Sequence, residues 1–325
     1  MVRALGLTSG GLDSIISALV LKEQGIDVVW VNFETPFFSS DRARRAARMT
    51  GIPLKVRNIT GVYVEMLKNP NCGYGTNMNP CLDCHALMLE IAGSIMTREG
   101  FDFLFTGEVL GQRTMSQTKP SLRYVEKRSG FAGHILRPLS AKLLPPTIPE
   151  ERGLVDRERL LDISGRSRKR QMKLAEDLGI TDYPAPAGGC LLTDPGFSRR
   201  VKDLLEHQDD CHERDFELLK HGRHFRLQDN HKVVVGRTRE DNRQISRFIE
   251  PHKDIQLQMM DMPGPIVLIP VGAPDEIVHE AACLCAAYSR AEDGQPARVS
   301  VKGPGGSGVL TVLGGCREKY HPCLV

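Results

Sequence analysis

Short apolar runs alternate with amphipathic stretches over the first 195 residues. Apolar runs of strand length lie at residues 2–7, 28–33, 53–59, 101–105 and 135–139. Helices are predicted over 12–24, where the pattern is amphipathic, over 40–50, which is basic, and over 82–98. This alternation is typical of a parallel sheet that is covered by helices. We therefore predict an α/β, Rossmann-like domain.

The pattern changes after the Asp194-Pro195-Gly196 turn. Two polar helical stretches follow, then further strands and one apolar-faced helix over 276–289; the strands are predicted at 232–236, 266–270, 299–301 and 309–313. We predict three parts, which are an α/β domain over 1–195, a helical linker over 196–222 and a smaller α+β domain over 223–325.

A glycine-rich loop joins the first predicted strand to the first predicted helix. It reads Ser9-Gly10-Gly11-Leu12-Asp13-Ser14. This layout points backbone N–H groups and the positive end of a helix at a phosphate. A Walker A loop would place a lysine after its second glycine, whereas here the acid Asp13 lies in the first helical turn. That arrangement suits a loop that holds pyrophosphate as a leaving group. The alternative is a simple turn in which Ser9 or Asp13 caps the helix.

The carboxyl ends of parallel strands form the edge where ligands of such sheets bind. Three loop tips are predicted there, at 9–14, 32–35 and 106–117. We expect ATP with Mg²⁺ at this edge, with the side chain or backbone of Phe33 beside the adenine. The other residues expected around ATP are Ser9, Gly10, Gly11, Asp13, Ser14, Thr106 and Gly107.

Cysteines form a second constellation. Cys81 and Cys84 lie in a C-x-x-C at the start of a predicted helix, where the helix dipole favours thiolates. A lone cysteine, Cys190, follows the flexible pair Gly188-Gly189.

Three interpretations of these cysteines remain open from the residues alone. Cys81, Cys84 and Cys190 could hold an iron–sulfur cluster. They could instead form a thiol pair and a nucleophile that passes sulfur as a persulfide. Cys72, Cys81, Cys84 and His85 could also hold a structural zinc, which takes four nitrogen or sulfur ligands.

The composition describes a globular protein. Hydrophobic residues make up 41% and charged residues 26%, with a formal net charge of +3. No apolar stretch approaches the roughly 20 residues of a membrane span, and no signal peptide is evident. We therefore expect a cytoplasmic protein with no membrane partner, whose nine cysteines serve metal or redox chemistry rather than disulfides.

The SGGxDS loop resembles the signature of the PP-loop ATPases, also called N-type ATP pyrophosphatases. The resemblance implies cleavage of ATP between its α- and β-phosphates and adenylation of a carbonyl oxygen. Residues 106–112 (TGEVLGQ), 116–118 (SQT) and 136–139 (LRPL) resemble segments of 4-thiouridine synthases. This second likeness implies ATP-dependent thiolation of tRNA.

The C-x-x-C with a distant single cysteine is similar to the cluster-bearing tRNA thiolases. The resemblance implies that Cys81, Cys84 and Cys190 are ligands of a [4Fe-4S] cluster whose fourth iron can bind sulfide. It also implies catalytic roles for Cys190 and Asp13, and a sulfur donor, either sulfide or a cysteine desulfurase.

The last predicted domain resembles the NFACT-R domain. Residues 233–242 (VVVGRTREDN), 261–265 (DMPGP) and 281–289 carry this likeness. The resemblance implies RNA binding. The alternative is a small packing or dimerisation domain, in which case the protein would be a homodimer.

A basic run precedes the Cys190 loop. Its candidate RNA contacts are Arg166, Arg168, Lys169 and Arg170. Clustered cations can bind phosphates along an RNA backbone. A solvated helix start is the alternative interpretation.

Together these patterns predict an ATP-dependent tRNA sulfurtransferase of the thiouridine synthase type, which adenylates a base carbonyl and replaces its oxygen with sulfur. One alternative is a PP-loop ligase or amidase that uses nitrogen. Another is a non-catalytic RNA-binding protein regulated by ATP.

Overall fold

The computed structural model describes residues 1–185 and 189–325, and these form two compact units. The first unit is Met1–Thr193 and the second is Asp194–Val325. The first is a parallel α/β domain and the second is built on an antiparallel sheet. The predicted fold class is therefore confirmed.

The first unit alternates strands with helices, as the apolar pattern predicts. Its strands are β1 (Arg3–Leu7), β2 (Asp27–Glu34), β3 (Leu54–Asn58), β4 (Phe103–Thr106) and β5 (Ile135–Leu136). Its helices are α1 (Leu12–Lys22), α2 (Asp41–Thr50), α3 (Thr60–Lys68), α4 (Cys81–Glu99), α5 (Lys119–Ser129), α6 (Ile148–Glu151) and α7 (Lys169–Asp177).

The five strands form one sheet in the order β3-β2-β1-β4-β5, and every pairing is parallel. The chain runs outward from β1 to β3 and then returns to β4 on the other side of β1. Because crossovers of this kind are right-handed, α1 and α2 lie on one face, and α4 and α5 on the other. The strand order reverses between β1 and β4, and a crevice at such a point is where ligands bind.

The core of the first unit lies under α1. Leu12, Ile15 and Ile16 of this helix are buried against Trp30 of β2 and Phe103 of β4. Helix α7 packs against α1 and adds Ala175 to the same core. The apolar face of α1 thereby fixes the position of the loop that precedes it.

The second unit carries six strands and four helices. The strands are β6 (Arg223–Arg226), β7 (Lys232–Val235), β8 (Asp254–Met259), β9 (Ile266–Pro270), β10 (Pro296–Gly303) and β11 (Gly306–Leu313). The helices are α8 (Pro195–His207), α9 (Glu213–Leu218), α10 (Arg239–Arg247) and α11 (Asp275–Ala287). The segment 196–222, which we predicted as a linker, contains most of α8 and all of α9 and lies within this unit.

Both faces of the second sheet are covered. Val233 and Val235 of β7 face one apolar cluster, which contains α11, and Val234 faces the other, which contains Leu218 and Ile245. Alternation along a strand places successive side chains on opposite faces. Across the described parts of both units, no helix combines the length and the apolar character that crossing a membrane requires.

Candidate functional site

The glycine-rich loop is held open by its own hydrogen bonds. Thr8 Oγ1 accepts from the backbone N–H of Gly10 at 3.0 Å and donates to Ser14 Oγ at 3.0 Å. Ser14 Oγ donates in turn to the Gly11 carbonyl at 2.8 Å. Gly10 has a positive φ of 70°, which glycine adopts without strain. The hydroxyls of Thr8 and Ser14 therefore shape the loop from inside.

The start of α1 carries no side-chain cap among the described residues. Gly11 stands at the N-cap position in an extended conformation and makes no side-chain hydrogen bond there. Asp13, one of the two caps in the alternative interpretation, turns its carboxylate to Gln112 instead. The first backbone N–H groups of a helix need partners, and a phosphate is the ligand that they and the helix dipole favour.

Asp13 is anchored at one carboxylate oxygen only. Gln112 Nε2 donates to Asp13 Oδ2 at 2.7 Å. Asp13 Oδ1 is buried and has no hydrogen-bond partner in the described part of the chain. A buried oxygen of this kind is costly unless a donor or cation meets it. Carboxylate oxygens are ligands that Mg²⁺ takes together with substrate phosphates, so the chemistry of this atom fits a metal ion.

The tip of β4 lies directly against the glycine-rich loop. A Cβ built on Gly107 would lie 2.5 Å from the Ser14 nitrogen and 2.7 Å from the Asp13 carbonyl carbon. Thr106 is buried and donates through Oγ1 to Glu108 Oε2 at 3.2 Å. Thr106 and Gly107, at the end of β4, therefore form the part of the site that lies against the glycine-rich loop.

The expected contact of Phe33 with the adenine is limited by burial. The Phe33 side chain is only 1% exposed. Of the two contacts that we expected, side chain or backbone, only the backbone remains as a candidate. Ser9, by contrast, is exposed at the loop tip.

A buried charge cluster, Glu108 with His85, Arg137 and Glu126, lies beneath this edge, and our sequence analysis did not assign it. His85 Nδ1 and Glu108 Oε1 are 3.0 Å apart, and Arg137 Nε donates to Glu108 Oε2 at 3.0 Å. Arg137 also pairs with Glu126. Burial alone would raise the pKa of Glu108, but Arg137 and His85 outweigh it and lower this pKa to about 2.

The described part of the Cys190 loop reaches the same edge of the sheet. The N–H of Leu191 donates to the carbonyl of Phe37, just after β2, at 2.9 Å. Asn77, which precedes α4, donates through Nδ2 to the Thr193 carbonyl at 2.9 Å. Residues 186–188 of the predicted Cys190 loop lie outside the described residues. Cys190 is thereby held between the tip of β2 and the approach to α4.

The three predicted thiols are near enough to influence one another. Burial raises the pKa of Cys84, and the neighbouring Cys190 and Cys81 raise it further, although the nearby Tyr63 acts in the opposite direction. Burial also raises the pKa of Cys190 to about 11, with Cys81 acting in the same direction. All three cysteines also act on the buried Tyr63 and raise its pKa, so they lie in the same region of the first unit.

This result corrects one expectation. We predicted that the start of α4 would favour thiolates at Cys81 and Cys84, but burial outweighs the helix dipole at Cys84 and raises the pKa of its thiol. A thiol is a weak nucleophile, whereas a bound metal deprotonates its cysteine ligands.

No metal-ligand set is preassembled in the described residues. Within residues 1–185 and 189–325, no three His, Cys, Asp or Glu side chains are arranged to hold a metal ion. The four residues of the zinc interpretation also have other neighbours. His85 Nδ1 lies 3.0 Å from Glu108 Oε1. Cys72 interacts with Tyr124, and this interaction is the largest cause of the raised pKa of Tyr124. The fit of these cysteines to a metal therefore rests on the chemistry of their three sulfur atoms, which lie at one edge of the sheet.

The basic run lies at the start of α7. Arg166 and Lys169 are exposed. Arg170 pairs with Asp162 at 2.6 Å, and Arg168 is half-buried. Three of the four predicted RNA contacts are therefore exposed, and one of these three, Arg170, is engaged in an ion pair.

The comparisons with known proteins divide the chain in the same way. Residues 2–142 match the family described as thiamine biosynthesis protein (ThiI), and residues 222–313 match the family described as NFACT protein RNA binding domain. The two family models match separate segments of the chain, and neither covers half of it. The resemblances to the thiouridine synthases of the PP-loop type and to the NFACT-R domain are thereby confirmed.

Curated relatives of the chain include two types of tRNA-thiolating enzyme. The tRNA-specific 2-thiouridylase MnmA 2 of Thermoanaerobacter sp. (strain X514) is 26% identical over 237 residues, which cover 62% of this chain and 60% of the relative. The probable tRNA sulfurtransferase of Caldanaerobacter subterraneus subsp. tengcongensis is 32% identical over 146 residues, which cover 42% and 36%. The chain therefore spans less than two thirds of the length of these relatives.

A solved complex of a 4-thiouridine synthetase with RNA and bound ATP is also similar. The identity is 18% and the TM-score 0.34, over 55% of this chain and 51% of that one. At this TM-score the likeness carries no argument about the site.

Proposed function

We propose that the protein is an ATP-dependent tRNA sulfurtransferase. One observation carries the proposal: the start of α1, which has no side-chain cap, and the start of α4, which carries Cys81 and Cys84, lie at the carboxyl edge of one parallel sheet, and Leu191 ties the neighbouring Cys190 to that edge through Phe37. The first feature suits a nucleotide phosphate, and the second suits sulfur chemistry. The names of the curated relatives support the pairing of these two activities.

The first step is adenylation of the base. The carbonyl oxygen of the base attacks the α-phosphorus of ATP, and the bond to the β-phosphate breaks. Pyrophosphate leaves against the free N–H groups at the start of α1, which stabilise its charge. Asp13 Oδ1 is the candidate ligand for the Mg²⁺ that accompanies the phosphates.

The second step replaces oxygen with sulfur. A sulfur nucleophile attacks the carbon that bears the activated oxygen, and AMP leaves with that oxygen. The adenylate is what makes this oxygen a leaving group. A [4Fe-4S] cluster, when bound by Cys81, Cys84 and Cys190, would supply an iron at which sulfide can bind. The sulfur itself would come from sulfide or from a cysteine desulfurase.

RNA binding is supported by the NFACT RNA-binding match over residues 222–313. The exposed Arg166 and Lys169 at the start of α7 add candidate phosphate contacts to the first unit. A tRNA is the RNA that the relatives' names favour.

A Cys190→Ser variant tests the proposal. We expect it to bind ATP as tightly as the wild type and to lose thiolation entirely, because serine can neither bind iron as a thiolate nor carry sulfur. Thionucleosides would be measured by mass spectrometry of tRNA from a deletion strain that carries each variant. Cys316→Ser is the matched control, since Cys316 is an exposed cysteine of the second unit.

Iron analysis of the same proteins, purified without oxygen, separates the two sulfur routes. About four irons per chain in the wild type, and fewer in Cys190→Ser, would support the cluster. Iron-free protein that still thiolates tRNA would favour the persulfide route. Normal thiolation by Cys190→Ser would contradict the role of Cys190, and unchanged thionucleosides in the deletion strain would contradict the function.

A further inference from the structure

We propose that Gln112 and Gln171 are positioning residues that orient Asp13 toward the metal ion of the bound nucleotide. The two side chains form an amide relay that runs from the buried face of α7 to the glycine-rich loop. This inference deepens the proposed function and rests on one part of it, the binding of ATP at this loop.

The first link of the relay fixes one oxygen of Asp13. Gln112 Nε2 donates to Asp13 Oδ2 at 2.7 Å, although the two residues are 99 positions apart in the chain. A carboxylate only accepts hydrogen bonds, so the Gln112 amide must turn its nitrogen toward Asp13. Its oxygen then faces away from the loop.

The second link holds the Gln112 amide in that orientation. Gln171 Nε2 donates to Gln112 Oε1 at 3.0 Å. If the Gln112 amide were flipped, its nitrogen would face Gln171 Nε2 and its oxygen would face Asp13 Oδ2. Neither pair of atoms could then form a hydrogen bond. The relay therefore has one direction, and each amide enforces the orientation of the next.

Gln171 occupies a position where an apolar residue would pack more easily. It is 0% exposed, and it lies one turn before Ala175, which belongs to the apolar core under α1. Burying an amide is unfavourable unless it is hydrogen-bonded. Among the described residues the amide of Gln171 has one partner, Gln112, while its Oε1 is buried without any. The one hydrogen bond that this buried amide makes is therefore the one that orients Gln112.

Backbone hydrogen bonds make the relay rigid. The N–H of Gly165, just before α7, donates to the Leu110 carbonyl at 2.8 Å. Within the turn that carries Gln112, its own N–H donates to the Val109 carbonyl at 3.1 Å. The segments that carry the two glutamines are thereby tied to each other by backbone as well as by side chains.

The relay leaves Asp13 Oδ1 free for a ligand. This oxygen is buried and has no hydrogen-bond partner among the described residues, whereas Oδ2 is fixed by Gln112. Anchoring one oxygen restricts rotation of the carboxylate and keeps the other aimed in a single direction. Such anchoring of a metal ligand by a neighbouring side chain raises its affinity for the metal.

The experiment measures ATP binding with Mg²⁺ and with EDTA for the wild type and three variants, Gln112→Leu, Gln171→Leu and the double variant. With Mg²⁺, we expect the dissociation constant to rise roughly tenfold in Gln112→Leu, which loses a hydrogen bond to a charged group, and by about two- to fivefold in Gln171→Leu. In EDTA, all four proteins should agree within about twofold.

The ATP affinity of the double variant distinguishes a positioning role of Gln171 from a merely structural one. Because Gln171 acts only through Gln112, adding Gln171→Leu to Gln112→Leu should change nothing further. Lys173→Leu is the matched control, since Lys173 lies on the exposed face of the same helix. It should bind ATP as the wild type does under both conditions.

Three outcomes would overturn the relay: additive losses in the double variant, equal losses with Mg²⁺ and with EDTA, or a wild type whose ATP affinity does not respond to Mg²⁺. If Gln171→Leu fails to fold, Gln112→Leu must still lose affinity only with Mg²⁺. If the variants bind ATP as the relay predicts but the protein thiolates no tRNA, the relay stands and only the proposed function is overturned. A wild type that binds no ATP would overturn both.

Discussion

At the scale of single residues, Gly107 has little freedom to change. Its missing Cβ is what lets the end of β4 approach the start of α1, and the atoms it would meet are backbone atoms of Asp13 and Ser14. Backbone cannot move aside as a flexible side chain can. We therefore expect Gly107→Ala to displace the glycine-rich loop, with a loss of about 1–3 kcal/mol of stability and a clear loss of ATP affinity.

Gly61→Ala is the control for this prediction. Gly61 lies in α3, and a Cβ there meets nothing within 4 Å. Alanine should raise stability there by about 0.5–1 kcal/mol, because it favours the helix over glycine. Urea unfolding followed by the fluorescence of Trp30, the single tryptophan, buried in the first unit, measures both variants. A stable Gly107→Ala that binds ATP normally would contradict this account.

At the scale of elements, the buried charge cluster joins segments that are distant along the chain. His85 belongs to α4, Glu108 follows β4, and Arg137 follows β5. Removing one partner of a buried ion pair leaves the other charge without compensation. The cluster therefore stabilises the same sheet edge that carries the candidate site.

The low pKa of Glu108 predicts a specific dependence of stability on pH. Because the pKa is about 2 in the folded protein and about 4.3 in an unfolded chain, ionised Glu108 stabilises the fold above pH 4.3. This contribution is lost as the pH falls toward 2. We expect Glu108→Gln to lower the unfolding free energy at pH 7 by up to about 3 kcal/mol, and the difference from the wild type to shrink in acid.

Trp30 fluorescence during urea unfolding at several pH values between 7 and 2 would measure this difference. Glu151→Gln is the matched control, since Glu151 is exposed on α6, and it should leave the stability unchanged throughout. A difference between Glu108→Gln and the wild type that stays constant with pH would show that the charge of Glu108 is not what stabilises the fold.

Elements with strong apolar patterns were predicted from the sequence, and those set by packing were not. The five strands of the first sheet follow from apolar runs, although β5 ends at Leu136, earlier than predicted. Helix α3 was missed because Val62, Tyr63 and Val64 favour strands. In the structure, that preference is overridden by burial at helical spacing, which covers Thr60, Tyr63, Val64 and Leu67.

The predictable parts of the site are those formed by residues that are close together in the sequence. The glycine-rich loop is contiguous, and its position after a strand is legible in the sequence. The relay from Gln171 to Asp13 and the pairing of Glu108 with Arg137 join residues that are distant along the chain. Nothing local distinguishes a buried glutamine from an exposed one, so only the fold reveals these partners.

At the scale of the whole molecule, the charges are divided unequally. The first unit has 25 lysines and arginines against 20 aspartates and glutamates, and the second has 18 against 20. The match to an RNA-binding domain therefore lies in a unit whose net charge is −2, whereas the candidate catalytic unit carries +5. Long-range attraction of RNA is then expected from the first unit, since it depends on net positive charge.

This division predicts how RNA binding responds to salt. Arg166→Ala combined with Lys169→Ala should reduce the slope of log affinity against log salt by about 2, since each lost phosphate contact removes about 0.9.

The control pair is Lys22→Ala with Arg98→Ala, which are also exposed. These two lie in the last turns of α1 and α4, at the edge of the sheet opposite the site. They remove the same net charge and should leave the slope nearly unchanged. Titration of a labelled tRNA at several salt concentrations measures both. Equal changes in slope for the two pairs would mean that net charge alone attracts RNA, and that the start of α7 makes no phosphate contact.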